Sequence, residues 1–267
     1  MTSPYGKALA VGLALAFAPA QIGAAQPAET QKPSWAQADP IANEGVVEDS
    51  AIEALKDMST YLMSLNTIGI KSEGSLDAVT NDGQRIQMDG VATYKIRKPG
   101  FVIDYTSNIK NRRFIYDGKT FTVYSPTLGF YASVPAPPTN REVLSTIYEK
   151  FGIALPLEDL FRWSEESHAA RLQNLKSAYE VGTATIDGVQ TDHFAFREAE
   201  TDWEVWIQQG DQPLPRKIVI VDRNDPAKPT FIARLNWTIN PTFTDADFTF
   251  VPDANAKRIQ LATYKGE

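Results

Sequence analysis

Imidazole is the side chain best suited to proton transfer near neutral pH, and this 267-residue chain holds only two, His168 and His193. They cannot make a three-histidine metal site, and they lack the spacing of a double-histidine metalloprotease helix. Asp192 precedes His193, which raises a carboxylate–imidazole dyad. Neighbours along a strand point to opposite faces, so this pair is not expected to form, and His193 reads as a solvated or structurally bonded residue. Glu158-Asp159 and Glu165-Glu166 are adjacent acids near expected helix starts, where the helix dipole favours negative charge. Glycoside hydrolysis would need two carboxylates converging on a cleft, which this placement does not supply. The sequence contains no G-x-S-x-G elbow, phosphate loop, G-x-G-x-x-G turn or calcium loop. Cys is absent, which removes thiolate nucleophiles, thiolate metal sites, disulfides and a lipid-modified N-terminal Cys together. No catalytic residue, metal ligand or cofactor motif is assigned, and the expectation is a non-enzymatic protein that uses no cofactor.

A formal charge of -7, with no dense run of Lys or Arg, argues against a nucleic-acid partner. The N-terminus has the features of an export signal: Lys7, an uncharged run from Ala8 to Ala18, then Ala18-Pro19-Ala20 or Gly23-Ala24-Ala25 as cleavage sites. That run is too short to span a bilayer, so residues 1–25 are expected to be removed after export, leaving no transmembrane anchor in the mature form. Residues 26–49, rich in Pro, Ala, Gln and Thr, read as a disordered linker. A single domain is expected over 50–261, with a tail at 262–267.

The elements inside that domain follow from hydrophobic period. Ile52, Leu55, Met58, Leu62 and Leu65 recur three or four apart behind Asp49 as N-cap, which predicts a helix from Ser50 to about Leu65. From Ile68 the period changes to two, and short strands follow at Val91 to Ile96, Phe101 to Thr106, Arg112 to Tyr116, Thr120 to Tyr124 and Gly129 to Val134. Turn signals such as Asn81-Asp82-Gly83, Lys98-Pro99-Gly100 and Asp117-Gly118 separate them, so hairpins are expected. Residues 139–178 then read as a helical insert: Thr139 and Glu142 have capping-box spacing ahead of Val143, Leu144, Ile147 and Phe151, and Gly152 stops the helix. Strands resume at Tyr179 and continue to Phe248–Val251. Phe231, Ala233, Leu235, Trp237 and Ile239 share one face, and Trp203, Val205 and Ile207 oppose Glu204, Trp206 and Gln208. One face of this sheet is expected to be buried and the other mostly wet, with Trp203 on the side of Leu235 and Trp237.

Five Trp, ten Tyr and thirteen Phe are many rings for a mostly β chain. They could fill a closed sandwich. A single curved sheet instead has a concave side that its own side chains cannot fill, and an amphipathic insert could cover that side while leaving a cavity.

The order of features resembles the LolA/LolB-like lipoprotein carriers of the bacterial envelope. The likeness rests on Arg97-Lys98-Pro99, on Tyr116-Asp117-Gly118-Lys119-Thr120-Phe121-Thr122-Val123-Tyr124-Ser125-Pro126, and on Phe248-Thr249-Phe250-Val251-Pro252, over about Ser50 to Leu261. The chain is also similar to a predicted-periplasmic domain family of unassigned function, through Tyr148 to Trp163 and through Trp203 to Ile207 followed by Pro213-Leu214-Pro215-Arg216-Lys217. The resemblance implies a mostly β (α+β) fold: a curved antiparallel half-barrel sheet with a helical lid around a hydrophobic cavity. It implies a periplasmic, non-catalytic binding protein for a lipid or lipoprotein acyl chain, and it leaves a carrier role open. Phe121, Val123, Leu144, Ile147, Leu160, Phe161, Trp203, Val205, Ile207, Leu235 and Trp237 are the expected cavity wall, with Arg97 and Lys98 as lid contacts. In the carriers an Arg stands just before the turn Pro; here Lys98 does, and Arg97 lies one residue earlier. A one-residue shift reverses the strand face and Lys lacks the guanidinium fork, which puts carrier-type gating in question. The alternative reading is an interaction or stress-sensing module for an envelope protein, with the concave side filled by side chains. A hydrolase with Asp and Ser groups that no motif locates is the third.

Overall fold

Reversals of the chain fall where the backbone must take positive φ. Asp187 and Gly188, at φ 49° and 82°, close a two-residue hairpin, and Gly118 at φ 99° follows Asp117, whose Oδ1 accepts from the amides of Lys119 and Thr120. The structure, a computed structural model, describes residues 45–155, 157 and 172–264. In chain order it comprises α1 (Asp49–Ser64), β1 (Ile68–Val79), β2 (Arg85–Ile96), β3 (Phe101–Ser107), β4 (Asn111–Tyr116), β5 (Thr120–Ser125) and β6 (Phe130–Pro135). Then come α2 (Asn140–Phe151), β7 (Ser177–Ile186), β8 (Val189–Arg197), β9 (Thr201–Gln208), β10 (Pro215–Asp222) and β11 (Thr230–Ile239). A 3₁₀ turn at Asp245–Phe248 and the short β12 (Lys257–Arg258) complete the chain. Among the described residues no helix is long and apolar enough to cross a membrane.

All strands join one 12-stranded sheet in the order β12-β6-β5-β4-β3-β2-β1-β11-β10-β9-β8-β7. The β-run before α2 and the β-run after it are halves of that sheet, joined where β1 pairs with β11 from Ile68↔Ile239 to Leu76↔Phe231. The pairing is antiparallel except for β12 against β6, and β12 and β7 stand at opposite edges, so the sheet is mostly β, antiparallel and not closed into a barrel. Antiparallel hairpins are what the alternating pattern predicts, and a single open sheet is what the resemblance implies. One face, here called inner, carries the main core: Ile68 and Ile70 of β1, Tyr94 and Ile96 of β2, and Leu235 of β11 pack with Leu55, Met58 and Leu62 of α1 and Val143, Leu144 and Ile147 of α2.

Helix α2 forms as its sequence dictates. Thr139 Oγ1 accepts from the Glu142 amide at 3.2 Å, and Gly152 ends the helix at φ 63°, where a Cβ is disfavoured. Helix α1 begins one residue earlier than expected. Asp49 is its first helical residue, and Glu48 stands at the N-cap without a side-chain bond, because the chain before it is held by β7: the Glu48 amide donates to the Ala178 carbonyl at 2.8 Å. Residues 46–48 are therefore tied to the sheet edge, and the linker expected over 26–49 does not extend through them. The expected signal peptide and the rest of that linker lie outside the described residues, as does most of the 139–178 insert beyond α2; β7 already begins at Ser177. The expected tail is tied down at Tyr264, whose amide donates to the Lys150 carbonyl at 2.7 Å.

The closing strand expected at Phe248–Val251 does not form. The Thr244 amide donates to Asp247 Oδ2 at 2.9 Å, a capping box that winds Asp245–Phe248 into the 3₁₀ turn. The turn drives Phe248 onto the outer face of the sheet against Val102 of β3 and Ile115 of β4, with Phe243 and Phe250 beside it. The outer face is thus not simply wet: it bears a second, smaller core.

Candidate functional site

Antiparallel register places residues opposite one another on the same face, so the wall of the site can be read row by row. On the inner face Phe121 of β5 lies opposite Tyr116, and Val123 lies opposite Phe114. At the other side of the sheet Trp203 of β9 lies opposite Phe196, with ring centroids 4.0 Å apart in a stacked pair, and Val205 lies opposite Phe194. Trp203 Nε1 donates to Glu198 Oε1 at 3.2 Å and Trp237 Nε1 donates to the Pro215 carbonyl at 2.7 Å, so each indole has an apolar body against the core and a bonded polar edge. Phe121, Leu144, Ile147, Val205, Ile207 and Leu235 are buried in one apolar cluster, against which Val123, Trp203 and Trp237 pack half-buried. The structure brings these residues to one face. Leu160 and Phe161 lie outside the described residues.

The β2–β3 turn joins both helices to the sheet. Lys98 Nζ donates to the Met63 carbonyl at 2.6 Å, near the C-terminus of α1, where exposed carbonyls favour a cation. Partial burial pulls this ammonium below the usual lysine range. Asn140 at the start of α2 donates to the Arg97 carbonyl at 2.7 Å and accepts from the Gly100 amide at 2.8 Å. The Arg97 side chain goes the other way, to Asp245 at 2.6 Å and to within 4.1 Å of the Phe248 ring centroid. Lys98 is therefore the residue whose side chain touches a helix, and Arg97 clamps to the outer face the segment around the Asp245–Phe248 turn, here called the strap. The bridging role of Asn140 carries no signal in the sequence beyond its place after Thr139.

Proton-transfer chemistry finds no such assembly. Asp192 and His193 part as expected: Asp192 accepts from Gln209 at 2.6 Å, whereas His193 Nε2 lies 2.8 Å from Glu204 Oε2 on the outer face. The His193 ring stacks on Trp206 with centroids 3.9 Å apart, and Lys217 sits 4.0 Å from the same indole. Trp206 is consequently only 7% exposed although it faces outward. Burial pulls the Lys217 ammonium below its usual range, with Glu204 opposing that shift. Ring and cation here shield one another in a packing arrangement. His168 and the acids at 158–159 and 165–166 lie outside the described residues. No cluster of three or more His, Asp or Glu side chains able to hold a metal occurs among the described residues. A hollow of about 330 Å³ on the outer face lies between the strap and Lys95, Val102, Arg113 and Ile115. Asp247 at its rim takes a hydrogen bond from Lys95, at 2.6 Å, and others from Thr244, which hold its carboxyl well below the usual range.

Comparison with known proteins found one family and several remote structural likenesses. No curated protein matches the chain. It is similar to an uncharacterized conserved protein of Thermus thermophilus, with 11% identity and a TM-score of 0.47 over 79% of this chain and 99% of that one. It is similar to the lipoprotein LppX of Mycobacterium tuberculosis, with 12% identity and a TM-score of 0.44 over 73% of this chain and 99% of that one. A LolA superfamily protein from Nitrosomonas europaea gives 10% identity and a TM-score of 0.37, over 75% of this chain and 97% of that one. The family model described as predicted periplasmic protein (DUF2092) matches residues 51–262, which take in the whole of the sheet, α2 and all but the first two residues of α1, and the chain belongs to that family.

Proposed function

We propose that this protein works in the periplasm as a non-catalytic holder of a hydrophobic ligand, an acyl chain of a lipid or lipoprotein, bound between the inner face of the sheet and the helices. The observation that carries the reading is the width of that apolar face. Twelve strands spaced about 4.8 Å apart make a face roughly 50 Å across. Among the described residues Trp203, Ile220, Phe231 and Trp237 pack only half-buried against its core. A contiguous apolar wall of this size is stabilised by an apolar occupant. Phe121, Val123, Leu144, Ile147, Leu160, Phe161, Trp203, Val205, Ile207, Leu235 and Trp237 are the proposed wall, and Lys98 the residue that holds the α1 end of the cover.

Native mass spectrometry of the full chain recovered from a periplasmic extract, followed by solvent extraction, checks this directly. Co-purifying acyl species are expected, together with a mass adduct that organic solvent removes. A chain that carries no adduct, and takes up none when offered phospholipid, would favour the envelope-protein interaction module instead. Export itself predicts a second result: N-terminal sequencing of the same material should start at Gln26 or Gln21. An intact Met1 in the membrane fraction would remove the compartment from the proposal.

A further inference from the structure

A chain reversal is served by Gly, Pro, Asn or Asp, which supply its dihedral angles and local bonds, and nothing in a turn calls for a large apolar side chain. The β3–β4 turn nevertheless carries Ile109, 71% exposed, and the β5–β6 turn carries Leu128, 61% exposed, with Phe130 just after it at 41%. Strands β1 to β6 pair in chain order, so the β1–β2, β3–β4 and β5–β6 turns all fall at one end of the sheet. Neighbouring hairpins lie two strand spacings apart, which puts the tips bearing Ile109 and Leu128 about 10 Å from one another. Leu76 and Ile86, also exposed, continue the row on the longer β1–β2 hairpin. At the other end the same strands turn through Arg97-Lys98-Pro99-Gly100 and Asp117-Gly118-Lys119, which present no large apolar side chain and are bonded to the rest of the fold. Lys98 reaches α1, Arg97 the strap, and the Lys119 carbonyl accepts from the Ala136 amide at 2.8 Å.

The apolar tips are held in place and surrounded by positive charge. The Ser107 hydroxyl accepts from the amides of Ile109 at 3.4 Å and Lys110 at 3.2 Å, and the Ser125 carbonyl accepts from Leu128 at 3.2 Å and Gly129 at 2.8 Å, so each side chain projects from a closed turn. Arg112 ties the two turns together, donating to the Asn111 carbonyl at 2.9 Å and to Ser125 Oγ at 2.7 Å. Strand β12 sets Lys257 opposite Phe130 and Arg258 opposite Tyr131, at the start of β6. Lys110, Arg112, Lys257 and Arg258 have no carboxylate partner among the described residues. The acids of this end are engaged or stand apart: Asp104 pairs with Arg113, Asp253 accepts from the Tyr124 hydroxyl, and Asp77, Asp82 and Asp89 belong to the β1–β2 hairpin. A chain of formal charge -7 thus gathers four cations without carboxylate partners around two exposed apolar tips.

We infer that this end of the sheet docks on a bilayer surface bearing anionic headgroups, with Ile109 and Leu128 dipping below the headgroups and the four cations at the level of the phosphates. Apolar side chains that stand singly on separate turns, Ile109 beside Lys110 and Phe130 opposite Lys257, suit a fluid interface that closes round each of them. A stable protein partner would need a continuous complementary surface of roughly 800 Å² on each side, and two separate tips do not provide one. The inference goes beyond the acyl-binding reading and does not depend on it; it names a second contact with lipid, through the rim of the sheet and not through its inner face.

The test mixes the chain recovered from the periplasm with vesicles of phosphatidylglycerol and phosphatidylcholine in equal parts, or of phosphatidylcholine alone, and measures bound protein by flotation. Wild type is expected to bind the mixed vesicles, and to bind roughly tenfold or more weakly to phosphatidylcholine alone or when salt is raised to about 0.5 M. Ile109→Ser and Leu128→Ser should each weaken binding to the mixed vesicles roughly fivefold. Lys110→Gln and Lys257→Gln in one chain should weaken it roughly tenfold or more. All four side chains are exposed, so the melting temperature should not change. Val181→Ser, which removes an exposed apolar side chain from the edge strand β7, should bind as wild type does. Wild type that does not float with the mixed vesicles, or floats equally with both kinds, overturns the inference. So does binding that survives Ile109→Ser and Leu128→Ser in one chain, or that Val181→Ser weakens as much. Flotation and the solvent-extractable adduct are separate readouts, so each of these results leaves the acyl-binding reading to its own experiment.

Discussion

Replacing Phe248 by Ala is expected to cost about 3–5 kcal/mol of unfolding free energy and to leave acyl binding per folded molecule unchanged. Phe248 is fully buried in the outer-face core, packed on Val102 and Ile115 and edge-on to Phe243 with centroids 5.6 Å apart. The strap that carries it is otherwise held by the ion pairs Lys95–Asp247 and Arg97–Asp245, both 2.6 Å long. The Asp245 side chain is 93% exposed, and exposed pairs contribute little, so the aromatic anchor dominates. The neighbouring hollow shares Val102 and Ile115 as lining, so water can enter the space left by the ring, which favours the lower part of the range. Urea unfolding followed by circular dichroism measures the loss. A change below about 1 kcal/mol would show that the strap does not hold the outer face.

Phe121→Ala should cost a similar ~3–5 kcal/mol but should also weaken acyl binding, which distinguishes the inner face from the outer. Phe121 is fully buried, stacked on Phe114 and edge-on to Phe101, each at 6.4 Å between centroids. Tyr116 beside it stacks obliquely on Phe101 at 5.4 Å and donates its hydroxyl proton to the Pro137 carbonyl just before α2. Losing the ring loosens the seam between β4, β5 and the segment entering α2, and it opens the same apolar cluster that holds Leu144 and Ile147. The pair of variants is read by the same two measurements, unfolding free energy and acyl-chain affinity. Equal affinity in Phe121→Ala and wild type would remove β5 from the proposed wall, whatever the stability change.

What depends on near neighbours in the chain was legible before any folding. Thr139, Glu142 and Gly152 mark the start and end of α2 because a cap bonds within three residues and a left-handed C-cap needs a residue without Cβ. Trp203 and Trp206 part to opposite faces, as do Asp192 and His193, because strand alternation is a property of the backbone alone. Their surroundings were a different matter. Trp206 faces outward and is buried all the same, because His193 comes from β8 and Lys217 from β10. Phe248 and Phe250 alternate like a strand, yet a capping box between Thr244 and Asp247 winds the turn before them, and a patch on β3 and β4, remote in sequence, receives Phe248. The pairing of β1 with β11, which closes a loop of more than a hundred residues and makes one sheet of two β-runs, belongs wholly to the folded chain. That pairing also sets Gly74 beside Ala233 and Gly90. In the sequence these are scattered small residues with no shared pattern; they become neighbours because register, which places strands side by side, is fixed by the packing of the whole face and by no stretch of chain within it.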